Sequence, residues 1–580
     1  MSESQSQGQG QDQDKAKTWY RGGPVPLPLP AGGLWLLVAC YLFIGLFNHS
    51  PWKAEDAIGI GIVHQMLTGG GIHWLLPQLA GEPYLADGPL FYALAALCAK
   101  LLSPLLQPHE GARLASALCL AATLWLIRAA GREWFRRDEH GAPAASAEGD
   151  GAALVLLGLL GLFVHAHEVL AENAALTGMA LAWYGFAHAR GTAWLRGGLC
   201  FGLGLGLMLW SKGPAPALVP LLAALLAPAL GSAWRNRRHL RFLAAGFVIA
   251  LLASLAWYAA LRHQGEGMAT QWWQSQWHQT TWTLQRGLRQ LQLLSWAAWP
   301  AWPLAVWAVY DRRWRLKNDA VLPLMAGTLL AMVLFACSRD INEVHAMPLI
   351  LVLALLAGAA VPALRRSTAS SFAWFGAMTF TTLGALVWLG WVAMITGTPE
   401  RLARNFSKLE PGFVARLDVS AVIIALVLSL LWLWLLARSE RSPHRSTAFW
   451  AGGITLLWGL VMSLWLPWID YGKTYAPVAG SLAAAVKSAR PAPGGCIESI
   501  GLGEAQRAVF HYYAGVVTQR REAMSPPGTR RQCRMLLVQA DARAQPDSRP
   551  QPDALEPGWR RIWEGNRPRD RERFRLYVRD

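Results

Sequence analysis

The sequence predicts an all-α polytopic membrane bundle of about 13 transmembrane helices, followed by a small C-terminal α/β extracytoplasmic domain. Of its residues, 53% are hydrophobic and only 15% are charged, too few for the surface of a soluble protein of this size. The apolar residues come in blocks of about 18 to 22, the length that crosses a hydrocarbon core about 30 Å thick. Blocks such as Ala217–Leu230 and Val419–Leu436 are apolar on every face, so they are not amphipathic surface helices.

Short basic loops set the orientation of the predicted helices. Arg and Lys cluster at Trp234–Arg241, Asp311–Lys317 and Arg438–Arg445, and such loops stay in the cytoplasm. The complementary loops, and the tail from Asp470, then lie outside. The predicted domains are a disordered cytoplasmic N-terminus at 1–31, a transmembrane region at 32–468 with an outer loop at 49–88, and an extracytoplasmic α/β domain at 469–580.

The helix count conflicts with this orientation. About fourteen apolar segments with an outer tail would place the N-terminus outside, whereas Lys15, Lys17 and Arg21 favour the cytoplasm. One of the first six segments is therefore expected to be short, re-entrant or fused with a neighbour. The region 152–188 is the candidate, because His and Glu residues interrupt its brief apolar runs.

Two regions outside the membrane have recognisable patterns. In the outer loop, Ala57 to Leu67 predicts an amphipathic helix that lies along the membrane surface. The tail predicts helices near 475–489 and 504–514 and strands at Cys496–Ile500, Met535–Gln539 and Phe574–Val578.

The net charge of +17 invites comparison with nucleic-acid-binding proteins. The basic residues lie in short loops between apolar blocks and form no nucleic-acid-binding module, so we exclude that class. Five of the seven Cys lie in or beside apolar blocks, where Cys is usually a small buried hydrophobe. Cys496 and Cys533 lie in the tail and could form a disulfide if the tail is outside the cytoplasm.

The first candidate for chemistry is the pair Glu55-Asp56, just after the first apolar block. Two adjacent carboxylates near a membrane surface suit general-base or metal chemistry. The alternative is an acidic first turn of the following helix, stabilised by the helix dipole. Taken alone, the structural alternative is the simpler explanation.

Polar residues at three further block boundaries are candidates for substrate binding. Tyr84 and Asp87 precede the second apolar block, where Asp87 could equally be a helix cap. Lys212 joins two apolar blocks on the predicted outer side, either as a snorkelling lysine or as a phosphate contact. Glu172 lies at an apolar boundary, where an ionisable residue is costly and often functional.

The other candidates lie in two outward loops. His278 belongs to a Trp- and Gln-rich loop that could be an interfacial aromatic belt. Arg339 and His345 belong to a polar patch that enters a helix through Met347-Pro348. The predicted topology places all of these groups on one face of the membrane, which indicates one outward site for a charged, membrane-borne substrate.

The order of these motifs resembles the GT-C membrane glycosyltransferases, the family of the lipid A aminoarabinose transferase and the protein O-mannosyltransferases. The resemblance covers roughly residues 30–365 and depends mainly on Glu55-Asp56, the segment Gly81–Tyr92 and Lys212-Gly213-Pro214. It implies an inverting glycosyltransferase in the bacterial inner (plasma) membrane, with its active site and C-terminal domain in the periplasm. The implied donor is a sugar linked to a polyprenyl phosphate such as undecaprenyl phosphate, and the implied acceptor is lipid A, another glycan or a protein.

The same resemblance implies roles for individual residues. Glu55 or Asp56 is the expected catalytic carboxylate, and Lys212, Arg339 and loop arginines could stabilise the phosphate leaving group. The chain departs from the family pattern at several positions. Asp87 stands where relatives have Lys, Glu172 where they have Asp, and His345 where they have Tyr. Relatives that bind a metal use a Glu and a loop His, and because the Glu position is Ala86, we predict no metal site and no cofactor, although a divalent ion is not excluded.

Two other function classes fit a multi-pass chain. A transporter or flippase would favour inverted repeats and midplane charges, whereas no repeat is visible here and the charges gather at one face. A non-catalytic envelope scaffold would need only a partner for the tail. Besides its substrates, the predicted partners are membrane lipids and no nucleic acid.

Overall fold

The computed structural model describes most of the chain. It covers residues 29, 32–52, 54–135, 145–277, 283–314, 321–338, 341–489, 496–521, 533–541, 558–568 and 570–579. The segment 1–31 predicted to be disordered lies almost wholly outside this range, so that prediction stays a prediction.

Helices dominate the described chain as far as Lys473. They are α1 (Gly33–Phe43), α2 (Glu55–Gly69), α3 (Leu90–Leu102), α4 (Pro108–Trp134), α5 (Ala145–Leu157), α6 (Ala171–Ala187), α7 (Trp194–Lys212), α8 (Pro214–Leu230), α9 (Arg237–His263), α10 (Met268–Gln276), α11 (Leu284–Ala297), α12 (Ala301–Asp311), α13 (Val321–Ala336), α14 (Met347–Gly358), α15 (Arg366–Thr396), α16 (Glu400–Leu409), α17 (Val419–Arg438), α18 (Arg445–Leu460) and α19 (Leu466–Lys473). A π-helical turn, Val461–Trp465, joins α18 to α19. A short hairpin, β1 (Gln78–Leu79) and β2 (Glu82–Pro83), lies in the loop between α2 and α3.

Several helices have the length and composition of membrane spans. Within the described residues, these are α4, α9, α15, α17 and the stretch Arg445–Ser488. Shorter apolar helices, among them α1, α3, α8 and α13, supplement them. The predicted mostly helical, multi-pass architecture is confirmed in this form, whereas the count of about 13 spans stays a prediction.

The region 152–188 is broken, as the interrupted apolar pattern predicts. Helix α5 ends at Leu157, and a 3₁₀ turn at His165–His167 precedes α6. The backbone N–H groups of Leu160 and Gly161 in the break donate to carbonyls near the end of α11, the latter at 2.9 Å. The break is therefore held in place by a neighbouring helix and ends at the start of α6.

Glycines bring α6 and α7 into close antiparallel contact. A Cβ at Gly185 would lie 2.5 Å from the carbonyl oxygen of Gly197, and a Cβ at Gly204 would lie 2.5 Å from that of Gly178. Small residues at such positions let membrane helices approach closely. The N-terminus of α6 and the C-terminus of α7 consequently lie side by side, which places Glu172 next to Lys212.

The tail folds as a mixed α/β unit. Its elements are α20 (Ala476–Ser488), β3 (Ile497–Ile500), α21 (Glu504–Ala514), β4 (Thr518–Arg520), β5 (Met535–Asp541), β6 (Trp559–Gly565) and β7 (Glu572–Arg579). The sheet has the order β4-β3-β5-β7-β6, with β3 parallel to both neighbours and β7 antiparallel to β5 and β6. The predicted elements are present, and β4 and β6 are additions. A disulfide joins Cys496 to Cys533, just before β3 and β5.

Helix α2 lies elsewhere than the pattern predicts. Instead of resting on the membrane surface, it is buried between the helical bundle and the tail, with Ala57, Ile60, Ile62 and Val63 each at most 1% exposed. These side chains belong to one apolar core that continues into α20, α21 and the sheet of the tail. The prediction of a surface helix is wrong because almost every face of α2 is apolar and is covered by protein.

Removing the tail disulfide should destabilise the tail. In the variant Cys496→Ser/Cys533→Ser, the loss of a constraint across a sequence separation of 37 should cost about 2 kcal/mol or more and lower the thermal unfolding midpoint. Chemical reduction of the unaltered protein should give the same shift. Titration of the unreduced, denatured protein should find five thiols, and finding all seven would contradict the assignment.

Candidate active site

One end of the bundle, which we term the loop face, is covered by the loop between α1 and α3 and by the tail. Asp56 is fully buried there, and its Oδ2 lies 2.7 Å from Nη2 of Arg113 on α4. The backbone N–H of Val169 donates to Oδ1 at 3.0 Å. Burial would raise the pKa of Asp56, but Arg113 and these hydrogen bonds hold it below its usual value. Asp56 is therefore a saturated anion that fixes the start of α2 to the bundle.

Arg113 also organises the chain that enters α2. Its guanidinium donates to the carbonyls of His49 at 2.9 Å and Ser50 at 3.0 Å. Asp470 on α19 accepts from the backbone N–H of Ser50 and from the indole of Trp52, both at 2.9 Å. The turn before α2 is consequently held from two sides.

Glu55 differs from its neighbour in every respect. It is half-buried, and within the described residues no group donates a hydrogen bond to it. Burial raises its pKa to about 7, and the negative charge of Glu172 adds to the shift while Lys212 opposes it. Glu55 is thus an available carboxylate with a pKa suited to proton transfer near neutral pH.

Lys212 lies at the centre of the charged cluster. Its Nζ is 2.6 Å from Oδ1 of Asp87 and 2.6 Å from Oε1 of Glu172. The hydroxyl of Tyr92 donates to the other oxygen of Asp87 at 2.6 Å. Asp87 and Glu172 therefore neutralise the positive charge of Lys212, and the three residues together have a net charge of −1.

The backbone around Lys212 explains the Lys-Gly-Pro sequence. Gly213 has φ +94°, in the region that favours glycine, so α7 can end at Lys212 and α8 can begin at Pro214. The carbonyl of Ser211 accepts from the backbone N–H of Gly88 at 2.8 Å. This bond ties the segment that contains Asp87 to the end of α7.

A row of acidic and imidazole groups continues from the cluster along the loop face. Nδ1 of His165 lies 2.7 Å from Oε2 of Glu168, and its Nε2 lies 3.8 Å from Oε2 of Glu343. His345 hydrogen-bonds Asn342 through its ring and its backbone N–H. Glu168 adds to the negative potential at Glu55, so the row lies near the cluster.

A cavity of about 550 Å³ opens at the far end of this row. It is lined by Arg286 and Arg289 from α11, by the apolar Leu293 and Trp296, and by Glu343. Arg286 donates to the carbonyl of Ser338. The cavity therefore combines two guanidinium groups with an apolar wall.

Most of the predicted site residues meet at the loop face. Those that do so are Glu55, Asp56, Tyr84, Asp87, Glu172, Lys212 and His345. His278 and Arg339 lie outside the described residues. Among the described residues, no group of three or more His, Cys, Asp or Glu side chains could hold a metal ion.

The fold of the chain matches a solved structure. It aligns over 94% of its residues with 97% of ArnT from Cupriavidus metallidurans bound to undecaprenyl phosphate, with a TM-score of 0.64 and 16% sequence identity. The apo form of that protein gives a TM-score of 0.65 over 94% of this chain and 98% of its own. The chain has the ArnT fold.

Curated relatives agree with the ArnT fold. The chain is 24% identical over 351 residues to undecaprenyl phosphate-alpha-4-amino-4-deoxy-L-arabinose arabinosyl transferase 1 of Pseudomonas fluorescens, covering 57% of both chains. It is 27% identical over 346 residues to the corresponding transferase of Pseudomonas aeruginosa, covering 56% of this chain and 59% of that one. The chain thus spans less than two thirds of the length of these relatives. No family model matches it. The predicted resemblance to the GT-C membrane glycosyltransferases is confirmed.

Sequence patterns missed several residues of this site in the ArnT fold. Arg113 is the partner of Asp56, and a charge at the start of an apolar block was the signal that could have identified it. Asp470 and Lys473 reach the site from α19, where Nζ of Lys473 lies 4.5 Å from the ring centre of Trp52. No local pattern indicates these two, because they meet Trp52 across more than 400 residues of chain.

Replacing Asp56 should test its structural role. In Asp56→Asn the buried guanidinium of Arg113 loses its counter-ion, which should cost about 3 kcal/mol or more and lower the thermal unfolding midpoint in detergent. Glu55→Gln is the matched control and should leave the midpoint unchanged, since Glu55 has no described hydrogen-bond partner. Equal midpoints for the two variants would contradict the different roles of the two carboxylates.

Proposed function

We propose that the chain is an inverting glycosyltransferase that moves a sugar from a polyprenyl-phosphate donor to a lipid, glycan or protein acceptor at the outer, periplasmic face of the bacterial inner membrane. The observation that supports it most is the available Glu55 carboxylate beside the Asp87–Lys212–Glu172 cluster, in a chain with the ArnT fold. The ArnT of Cupriavidus metallidurans has been solved with undecaprenyl phosphate bound, which agrees with a donor of this class.

Glu55, rather than Asp56, is the proposed catalytic base. It accepts the proton of the acceptor hydroxyl as that oxygen attacks the anomeric carbon, while the bond between this carbon and the phosphate oxygen breaks. Asp56 cannot take this proton, because both of its oxygens accept hydrogen bonds and Arg113 stabilises its anion. We therefore assign the catalytic role to Glu55 and assign to Asp56 the role of holding the start of α2 on the bundle.

The departing phosphate needs positive charge, and we assign this role to Arg286 and Arg289 rather than to Lys212. Both of the carboxylates that pair with Lys212 lie 2.6 Å from its Nζ and leave little net charge for a phosphate. The arginine cavity is connected to the cluster through Glu343, His165 and Glu168. Arginine also binds phosphate in a two-pronged geometry that suits a leaving group.

Glu172 is proposed to bind a sugar hydroxyl, whereas Asp87, whose two oxygens accept from Lys212 and Tyr92, is proposed to orient Lys212. A carboxylate accepts hydrogen bonds on two oxygens, and Lys212 pairs with Oε1 of Glu172. The replacement of the family's Lys by Asp87 thus exchanges a cation for an acceptor, and the exchange is balanced because Lys212 pairs with it. This arrangement is compatible with catalysis and need not indicate an inactive relative.

Replacing the proposed base should abolish transfer without unfolding the protein. In Glu55→Gln the rate of sugar transfer from a labelled polyprenyl-phosphate donor should fall about 100-fold or more, as for loss of a general base. The assay uses the full chain in nanodiscs with envelope extract as acceptor, followed by mass spectrometry of the products.

The control is Glu400→Gln, which removes an exposed carboxylate on α16 whose weak ion pair with Arg404 is 3.9 Å long. It should transfer at the unaltered rate. If Glu55→Gln transferred sugar as fast as this control, the hypothesis of a non-catalytic scaffold would replace the hypothesis of an enzyme.

The transfer rate should depend on pH through Glu55. The base acts only when deprotonated, and its pKa is about 7, so the rate should rise with pH through about 7 and level off above it. Without the burial and the neighbouring charge, the same rise would fall near pH 4.5. A rate that is flat between pH 6 and pH 8 would argue against Glu55 as the base.

A further inference from the structure

The tail covers the loop that contains the proposed catalytic residues, and it does so without an intervening gap. A Cβ at Gly61 of α2 would lie 2.7 Å from the Cβ of Ala508 on α21. On the opposite side of α2, a Cβ at Gly59 would overlap the carbonyl oxygen of Val169. The two glycines therefore let α2 fit between the bundle and the tail.

The second limb of the loop is tied to the tail by charge. Glu82, on the hairpin between α2 and α3, accepts a hydrogen bond from Nη1 of Arg507 at 3.0 Å, and Nη2 of the same guanidinium lies 3.0 Å from its other carboxylate oxygen as an ion pair. It also accepts from Nε of Arg520 at 2.8 Å. Hydrogen bonds between charged groups are stronger than neutral ones, so two guanidinium groups on one carboxylate limit its movement. Glu82 of the loop is thus paired with two arginines of the tail.

Arg507 is buried, and its position is fixed by several contacts besides the one with Glu82. Its side chain is 1% exposed, and it further donates to the carbonyl of Thr518 at 3.0 Å. Among the described residues, Glu82 is the carboxylate that pairs with it. A buried guanidinium costs free energy unless it is paired, so the position in which Glu82 contacts Arg507 is strongly favoured over one that leaves Arg507 unpaired.

The contact lies directly upstream of the charged cluster. From Glu82 the chain runs through Tyr84 to Asp87, whose carboxylate meets Lys212, and the next residue, Gly88, is tied to the end of α7. The backbone N–H of Tyr84 donates to the carbonyl of Pro77 at 2.8 Å. The tail thus holds Glu82, two residues before segment 84–88, while the bundle holds the segment at the carbonyl of Leu85, which accepts from Gln276 at 2.9 Å, and at Gly88.

We propose that Arg507 and Arg520 are positioning residues of the transferase: through Glu82 they hold segment 84–88 so that Asp87 stays on Lys212 beside Glu55. The proposal rests on the proposed function for its kinetic consequences, but its structural part does not. It assigns the tail a part in catalysis rather than in recognition of the acceptor.

The test uses Glu82→Gln in the full chain, compared with Glu564→Gln. Glu564 is a matched control, since it also pairs with several arginines (Arg561 at 2.7 Å, Arg575 at 3.2 Å, Arg573 at 3.3 Å) but lies in the sheet of the tail, within β6. Backbone hydrogen exchange, the thermal unfolding midpoint and the transfer rate are measured for both variants.

In Glu82→Gln, exchange at residues 84–88 should rise, the midpoint should fall further than in Glu564→Gln because Arg507 is left buried without its counter-ion, and the rate should fall by about 10-fold to 100-fold because the reacting groups are misplaced. Glu564→Gln should leave the exchange at 84–88 and the rate unchanged. Arg520→Gln removes the more exposed arginine and should raise the exchange at 84–88 by a smaller amount. This third variant keeps the test decisive if Glu82→Gln fails to fold.

Unchanged exchange at 84–88 in both Glu82→Gln and Arg520→Gln would overturn the proposal, whatever the activity. Equal losses of rate and of midpoint in Glu82→Gln and Glu564→Gln would also overturn it, because the tail would then act only on stability. If Glu55→Gln keeps full activity while exchange at 84–88 rises in Glu82→Gln, the proposed function fails, but the role of Arg507 and Arg520 in holding segment 84–88 through Glu82 stands.

Discussion

The buried ion pair between Asp56 and Arg113 is the interaction on which the loop face depends. It fixes the start of α2 to α4, and the same guanidinium holds the carbonyls of the turn that precedes α2. Since Glu55 is the adjacent residue, its position follows from this pair without any bond of its own. The two adjacent carboxylates thus have different properties. Asp56 is stabilised as an anion, whereas partial burial and negative neighbours raise the pKa of Glu55.

The positive charges around the site lie in two separate regions. Lys212 is neutralised by Asp87 and Glu172, and a second concentration of positive charge lies apart from it, in the arginine cavity. An acidic row between the two regions would repel a phosphate from the sugar end and direct it to the arginine end. For the proposed donor, with a sugar at one end and a phosphate at the other, this electrostatic pattern and the apolar wall beside the arginines would together set the orientation.

The sequence predicted well what depends on local pattern and poorly what depends on distant contacts. Apolar blocks identified the bundle, the irregular region 152–188 and the principal elements of the tail, and the topology predicted that Glu55, Asp87, Glu172 and Lys212 meet, although the helix in that region ends earlier, at Leu157, than the pattern indicates. The pattern could not separate the roles of Glu55 and Asp56, because Arg113 decides them across 57 residues. It also misplaced α2, since its periodicity does not reveal whether lipid or the tail covers its apolar surface.

The apolar core shared by α2, α3 and the tail has a consequence for biosynthesis. The side chains that complete the packing of residues 55–102 come from 475–578, which are synthesised after them. A nascent or truncated chain would therefore have its membrane helices but an unfinished loop face, with Arg507 absent and Glu82 unpaired. The order of synthesis therefore delays the completion of the loop face until residues 475–578 have folded, and a chain without them would lack the apolar cover of α2.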